Sequence, residues 1–422
     1  MTRSMRECGP WGRTLGPVRQ RVVLAWVAVS VVVLGACGGG SSTSRPDSSA
    51  PPRPSATETA GITTRTAPAP AQVALAPARP GESLVTLTVP GGSYTPSAPN
   101  GGTDDYRCFL LDSPQQADSY ITGTAFQPGS GLVHHAISYR IQASQVSAAK
   151  ALDAKSPTPG WTCFGGTGIP SPPNTDPLAA LDQAQWLSAW APGVGESTYP
   201  TGSGVRLSRG SHIVLQIHYN LLAGQAVDRS SIRLRLVPAT QSIQAVETML
   251  LPAPVELPCA PGEYGVLCQR SWAVADVIKR FGQQAGFTIA GLQVLCGGSL
   301  TKPKASATQT CKRSVPRAVT VYSAAGHMHL LGRKIKIVAN AGTARARTLL
   351  DNTNWDFDSQ GAKSIGAPLD LNAGDQISIT CTHDSSLRKK LPELAELPSR
   401  YVVWGEGTSD EMCLGILLYT RG

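Results

Sequence analysis

The 422-residue chain is poor in charge and in aromatic rings: Asp, Glu, Lys and Arg make up 15% of it and Phe, Trp and Tyr 6%, against a usual charged share of about 25%. That scarcity excludes a coiled coil, and the 41% hydrophobic share excludes a wholly disordered chain. Lys and Arg nowhere cluster among aromatics downstream of the leader, so nucleic acid is not expected as a partner. The formal charge is +9, and the first 36 residues, with Arg3, Arg6, Arg13, Arg19 and Arg21 against Glu7, carry +4 of it. No two of the ten cysteines have C-x-x-C spacing, which weakens any thiolate zinc reading. Long stretches with a 3.6-residue period are few; Gln142 to Ala154 and Trp272 to Phe281 are the best helical candidates. What is abundant is Gly, 43 residues, and Pro, 33 residues, many of them in one stretch near the N-terminus.

That start has the marks of export. Val22 to Leu34 is almost wholly apolar, follows an arginine-bearing segment and leads into Leu34-Gly35-Ala36-Cys37. A spanning helix is the other reading, but Val22 to Ala36 is 15 residues, short of the ~20 a bilayer core requires. The tetrapeptide resembles a bacterial lipobox, whose cysteine is lipidated and becomes the first residue of the mature protein. Residues 1–36 are therefore expected to be a lipoprotein signal peptide. Residues 37–80 are expected to be a lipidated, disordered tether, because Gly38 to Pro80 holds 8 prolines and no aromatic residue and cannot bury enough apolar surface to fold. The expected location is the bacterial cell envelope, at the outer face of the cytoplasmic membrane, anchored through Cys37. Leaving Cys8 and Cys37 aside, Cys108, Cys163, Cys259, Cys268, Cys296, Cys311, Cys381 and Cys413 remain, an even set that in an exported chain reads most simply as four disulfides.

Residues 81–422 are enough for two domains. Alternating or β-branched runs recur at Ser83 to Val89, Tyr106 to Leu111, His134 to Ile141, His212 to Tyr219, Ser231 to Val237, Ala318 to Ser323, Arg333 to Val338, Gln376 to Cys381 and Met412 to Tyr419. The fold class is all-β: two jelly-roll-like antiparallel β-sandwich domains in tandem, 81–240 and 241–422, with the seam near Pro238 to Val246.

The seven histidines are the most informative feature. His327-Met328-His329 follows an apolar run, and i, i+2 spacing on an extended segment sends both imidazoles to one face, about 7 Å apart. Two imidazoles on one face make half a metal site, though an isolated pair is as readily ordinary strand surface. Adjacent His134 and His135 would point to opposite faces of a regular strand. They can share one ion only if the backbone bends or they coordinate through different ring nitrogens. His218 shares a strand face with His212, Val214 and Gln216, and alone reads as a core or edge histidine. Met412 alone reads as packing; with two histidines its thioether would favour Cu(I) over zinc.

Taken in order, His134-His135, Leu215-Gln216-Ile217-His218-Tyr219, His327-Met328-His329-Leu330-Leu331-Gly332 and Asp410-Glu411-Met412-Cys413 resemble the four motifs of the copper type II, ascorbate-dependent monooxygenases, the family of dopamine beta-monooxygenase and peptidylglycine alpha-hydroxylating monooxygenase. Asp105-Tyr106-Arg107-Cys108, Ala189-Trp190-Ala191-Pro192-Gly193 and Asp356-Phe357 are similar to further family segments. The resemblance implies one copper on His134, His135 and His218 and another on His327, His329 and Met412, facing each other across a water-filled cleft. It implies that the second is the catalytic centre, where dioxygen is used to hydroxylate an aliphatic C–H, with ascorbate or a similar one-electron reductant supplying electrons. It also implies disulfides Cys381–Cys413 and Cys108–Cys163; nearness in sequence suggests Cys259–Cys268 and Cys296–Cys311.

Where peptide-hydroxylating members place an Arg, an Asn and a Tyr to hold a substrate carboxylate, this chain has Ala325, Leu414 and Ile416. Peptide amidation is therefore not expected, and a neutral or apolar small molecule is. Trp355, Trp404 and Arg333 are candidates to line its pocket. Two readings stand beside the monooxygenase: a non-catalytic copper-binding or carrier lipoprotein, suggested by the missing anchors, and a zinc hydrolase built on the first trio alone, which leaves His327, His329 and Met412 unexplained. Oligomeric state is not readable from the sequence.

Overall fold

The computed structural model describes residues 66–98, 103–114, 116–171, 185–357 and 360–421. The expected signal peptide, the lipid acceptor Cys37 and most of the tether lie outside them. Each of the nine anticipated strands forms, with ends shifted by a few residues, and the described residues form an all-β sandwich architecture. The largest sheet has nine strands. Its path runs from Ser83–Thr88 through Ser231–Pro238, Ser119–Gln127, Ser203–Leu207, Gln244–Pro252, Leu414–Arg421 and Val319–His327 to Lys363–Leu371, and the ninth strand, Ser197–Thr198, pairs with Ser119–Gln127 off this path. Its pairs are antiparallel except where Gln244 and Ala245 run parallel to Ser203 and Gly204. A five-stranded sheet, ordered Trp161–Thr162, Asp104–Leu111, His212–Asn220, Val133–Ile141, Gln185–Trp190, covers its first half. A four-stranded sheet of Thr308–Ser314, Gln376–His383, Gly332–Ala339 and Arg347–Asn352 covers its second.

Period-two alternation explains the layering, because each strand turns one row of apolar side chains inward. Phe109, Leu111, Ile213, Leu215 and Ile217 of the five-stranded sheet meet Ile121, Val205, Ile232 and Leu234 of the large one. In the second half, Val321, Ala324, Leu417 and Leu251 meet Ile335, Ile337, Ile377 and Ile379. The strand Gln244–Pro252 serves both, with Val246 in the first core and Met249 and Leu251 in the second. The polar stretch 239–243 is a turn between strands, and Gln244–Pro252, which begins right after it, joins the two halves of the large sheet.

Among the described residues, three helices reach 8 residues or more. Helix α1 is Val146–Asp153, and α2, Arg270–Phe281, lies close to the helix expected there. Helix α3, Gln283–Leu295, has no counterpart among the expected helices, because apolar residues on all its sides leave no 3.6-residue period to read. Only Gly282 separates α2 from α3, at φ 82°, a backbone conformation that favours glycine.

The tether expectation needs correction at its end. Residues 66–80 have few apolar side chains but borrow polar partners from the body. Ala67 N–H donates to Gln225 O, Gln127 holds both Ala71 O and Val73 N–H, and the Arg235 guanidinium donates to Ala76 O and Pro77 O. Arg235 is itself buried between Glu82 and Glu196, at 2.8 Å from each.

All four disulfides are those anticipated: Cys108–Cys163, Cys259–Cys268, Cys296–Cys311 and Cys381–Cys413. Cys381–Cys413 ties the segment carrying Met412 to the strand Gln376–His383.

Candidate metal centre

The first trio forms at one end of the five-stranded sheet. His135 and His218 are direct partners across two strands, and the register slips between Val133 and His135, leaving His134 on a β-bulge. A bulge re-aims a side chain that regular alternation would point away, and it brings the adjacent pair together through backbone bending. All three rings present the same atom. The Nδ1 atoms of His134, His135 and His218 lie 3.3, 3.1 and 3.4 Å apart. A point equidistant from all three, in their plane, is about 1.9 Å from each, so an ion slightly above it would have bonds of ~2.0–2.1 Å, the length of a metal–imidazole bond.

The surroundings fix these rings. His218 Nε2–H donates to Asp104 Oδ1 at 2.7 Å, which leaves Nδ1 as the free lone pair. Thr408 Oγ1 donates to the same oxygen at 3.0 Å. Burial raises the Asp104 carboxyl pKa, but the hydrogen bond from His218, with those from Thr103 and Thr408, outweighs it and holds the group well below the usual range. The Tyr106 ring stacks on His218 with centroids 4.0 Å apart, and its hydroxyl donates to Glu406 O. Burial, aided by the neighbouring His218, pushes the pKa of His134 and His135 well below the ordinary value. At neutral pH both are therefore uncharged, as ligands must be.

His327 and His329 come together by a different route. The strand ends at His327 rather than continuing, and Met328 turns fully inward, yet the two ring centroids are 5.1 Å apart. His327 Nδ1–H donates to Gln360 Oε1 at 2.6 Å and His329 Nδ1–H to Asp410 O at 3.2 Å, so each leaves Nε2 free. Burial lowers both pKa values, that of His327 to about 4. Met412 does not begin a strand as expected; it precedes Leu414–Arg421 and is buried.

One carboxylate organises this region. Glu411, fully buried, accepts the N–H groups of His329 at 2.8 Å, Leu331 at 2.6 Å and Met412 at 3.2 Å. His383 Nε2 lies 3.3 Å from it and donates to Met412 O at 3.1 Å. Asp104, Gln360, Glu411 and His383 were not singled out from the sequence. Glu411 stood inside a quoted motif, and Asp104 precedes one, but nothing in one sequence says that a carboxylate points inward.

The two histidine groups are adjacent. The rings of His135 and His327 are 5.8 Å apart between centroids. Phe357 stacks on His134 at 4.7 Å and stands 6.2 Å from His329.

A cavity of about 1460 Å³ opens beside them, lined by His135, His327, Gln360 and Met412. Ala325, Leu414 and Ile416 line it too, and so does Trp404. Trp355 instead donates its indole N–H to His329 O, and Arg333 is exposed, so neither belongs to the lining. Burial pushes the carboxyl of Glu406, another lining residue, up to about 8, leaving it largely neutral at pH 7.

Residues 292–421 match the family model described as "Copper type II ascorbate-dependent monooxygenase, C-terminal domain". This stretch is thus similar to the C-terminal domain of that monooxygenase family. The match contains His327, His329 and Met412, and it assigns copper- and ascorbate-dependent chemistry with dioxygen at the family level. Among solved structures, an allantoicase is 9% identical over 81% of this chain and 90% of its own, with a TM-score of 0.18. A Paenibacillus xanthan lyase is 12% identical over 84% of this chain and 27% of its own, with the same score of 0.18. The VP2 subviral particle of infectious bursal disease virus is 8% identical over 84% of this chain and 75% of its own, at 0.17. Likenesses this weak carry no weight for fold or function.

Proposed function

We propose that the protein is an exported, lipid-anchored copper monooxygenase that hydroxylates an aliphatic C–H of a neutral, largely apolar small molecule, using dioxygen and an ascorbate-type reductant. His134, His135 and His218 hold one copper through Nδ1; His327, His329 and Met412 hold a second. The observation that carries the reading is the convergence of three Nδ1 atoms within 3.4 Å of one another, beside a second pair of neutral imidazoles. Copper, when bound, supplies the electron transfer and the chemistry of dioxygen. The chain's own residues do the rest. Asp104 and Gln360 hold protons on the outward nitrogens of His218 and His327, Glu411 fixes the two loops that carry the second ligand set, and Phe357 stacks on the His134 ring. Thioether ligation favours the reduced ion at the second group. The apolar wall of Ala325, Leu414 and Ile416, with a neutral Glu406, offers no cation to a substrate carboxylate and favours an uncharged substrate.

Copper stoichiometry and ascorbate-dependent oxygen uptake test this. Wild-type protein should take up two ions per chain and consume oxygen faster than free copper does. Met412→Ile should keep the histidine-only copper and lose the oxygen uptake. An unchanged rate would remove Met412 from the site. Copper binding with uptake no faster than that of free copper would favour the carrier reading, and one zinc per chain in place of copper would favour the hydrolase.

A further inference from the structure

Among the described residues, apolar exposure is concentrated in one stretch of the chain. Of the nine large hydrophobic side chains exposed among the described residues, six (Tyr264, Val266, Trp272, Phe287, Val294 and Leu300) lie between residues 264 and 300. From Phe281 to Thr301 there is no charged residue at all. Helix α3 sits in the middle of that stretch. One side of it is buried through Ile289, Leu292 and Gln293, yet the remaining surface carries Phe287, 68% exposed, and Val294, 64% exposed. A helix apolar on all sides is ordinarily covered on all sides; here part of the cover is missing.

We infer that α3 and the loop following it dock on the surface of an anionic lipid bilayer, and that lipophilic substrate enters the cavity from that surface. The second clause rests on the proposed monooxygenase reading; the first does not. Three observations select a bilayer over a protein partner. Exposed Lys279, Lys302 and Lys304 stand at the ends of the uncharged stretch, where anionic headgroups would meet them and where the apolar face between would reach the acyl boundary. At 13 residues, α3 is about 20 Å long, and no helix among the described residues is long and apolar enough to cross a membrane, so it lies on the surface. Finally, Phe287 is at once exposed and part of the cavity lining, with Leu292 and Leu295 beside it. The cavity mouth therefore opens on the same apolar face, and a molecule dissolved in lipid reaches it without crossing water.

The test uses the full 422-residue chain with its leader uncleaved and without copper, reconstituted in phosphatidylcholine–phosphatidylglycerol vesicles doped with a phospholipid bearing an acyl-chain diazirine. After photolysis, adducts are mapped by mass spectrometry. Adducts are expected on the peptide spanning 281–301 as well as on the apolar leader, which serves as the internal positive control. The double variant Phe287→Glu, Val294→Glu alters only exposed positions; with an unchanged circular dichroism spectrum it should lose helix adducts by about tenfold while leader adducts stay. Omitting phosphatidylglycerol should also lower helix adducts alone. Adducts confined to the leader in wild type would overturn the docking and leave this face to a protein partner. A membrane-dissolved alkyl diazirine should further label Leu292, Leu414 and Ile416 inside the cavity. Labelled α3 with an unlabelled cavity would overturn lipid delivery alone. Neither result depends on copper or turnover, so the monooxygenase reading can fail separately.

Discussion

The two histidine groups reach similar chemistry by opposite construction. The trio stands on hydrogen-bonded strands, and one bulge at His134 is enough to converge its rings. The second group stands where the strand Val319–His327 ends, and its backbone is held by a single buried carboxylate, Glu411. A ligand set borne by a sheet inherits its geometry from the fold; one borne by loops depends on whatever pins the loops. That difference predicts that the second group is the easier of the two to destroy.

The sharpest way to break the comparison is Glu411→Ala. It strands the N–H groups of His329, Leu331 and Met412 and leaves His383 without its carboxylate. Removing one partner from such a buried network costs about 3–5 kcal/mol. Denaturant unfolding should register that loss, and copper analysis should show the second group empty with the trio still loaded. Equal loss at both groups would mean that the sheet does not protect the first.

Acid offers a graded version. His134, His135, His327 and His329 are neutral in the fold because burial depresses their pKa values, whereas the unfolded chain protonates them below about 6.5. The unfolded state then binds more protons, so the stability these groups contribute is fully present above about pH 6.5 and is lost as pH falls. For His327, whose value is about 4, the loss by pH 4 is on the order of a few kcal/mol. Metal-free protein should show a thermal midpoint that drops from pH 6.5 to 4, and bound copper should blunt that drop.

Much of this construction was legible in the sequence. Alternation located the strands Val133–Ile141 and His212–Asn220, and with them the elements that carry the trio. The even cysteine count pointed to four bridges; family likeness implied two of them, and nearness in sequence suggested the other two. The illegible parts share one physical feature: they depend on a partner distant in the chain. Asp104 is 114 residues from His218 and Glu411 is 82 from His329, and a carboxylate carries no local mark of the ring or amide it faces. Residues 66–80 look unstructured for the same reason, since the groups that hold them, Gln127, Glu196 and Arg235, come from the body. Helix α3 is hidden because its apolar residues show no period, and the closeness of His135 to His327 because spacing says nothing about how two lobes meet.

The residues behind the rings allow a finer comparison. Asp104 backs His218 with a full negative charge, and its hydrogen bond is charge-assisted. Asp104→Ala should weaken copper at the trio about 10–100-fold, the usual effect of losing such a partner, with the second group unchanged in a competition titration against a chelator.

Gln360 backs His327 with a neutral amide oxygen, and its own Nε2–H donates to Phe357 O at 2.6 Å. Gln360→Leu removes a neutral hydrogen bond worth about 1 kcal/mol, so copper at the second group should weaken only about fivefold, less than the trio loses with Asp104→Ala. The same change frees the segment that carries Phe357, whose ring stacks on His134. A small secondary perturbation of the trio's copper spectrum is therefore expected in Gln360→Leu, whereas Asp104→Ala should leave the spectrum of the second group untouched. Electron paramagnetic resonance of singly loaded protein reads both. If the trio's spectrum is also unmoved in Gln360→Leu, Phe357 is held by its packing alone, and the two groups are mechanically independent despite the contact between their rings.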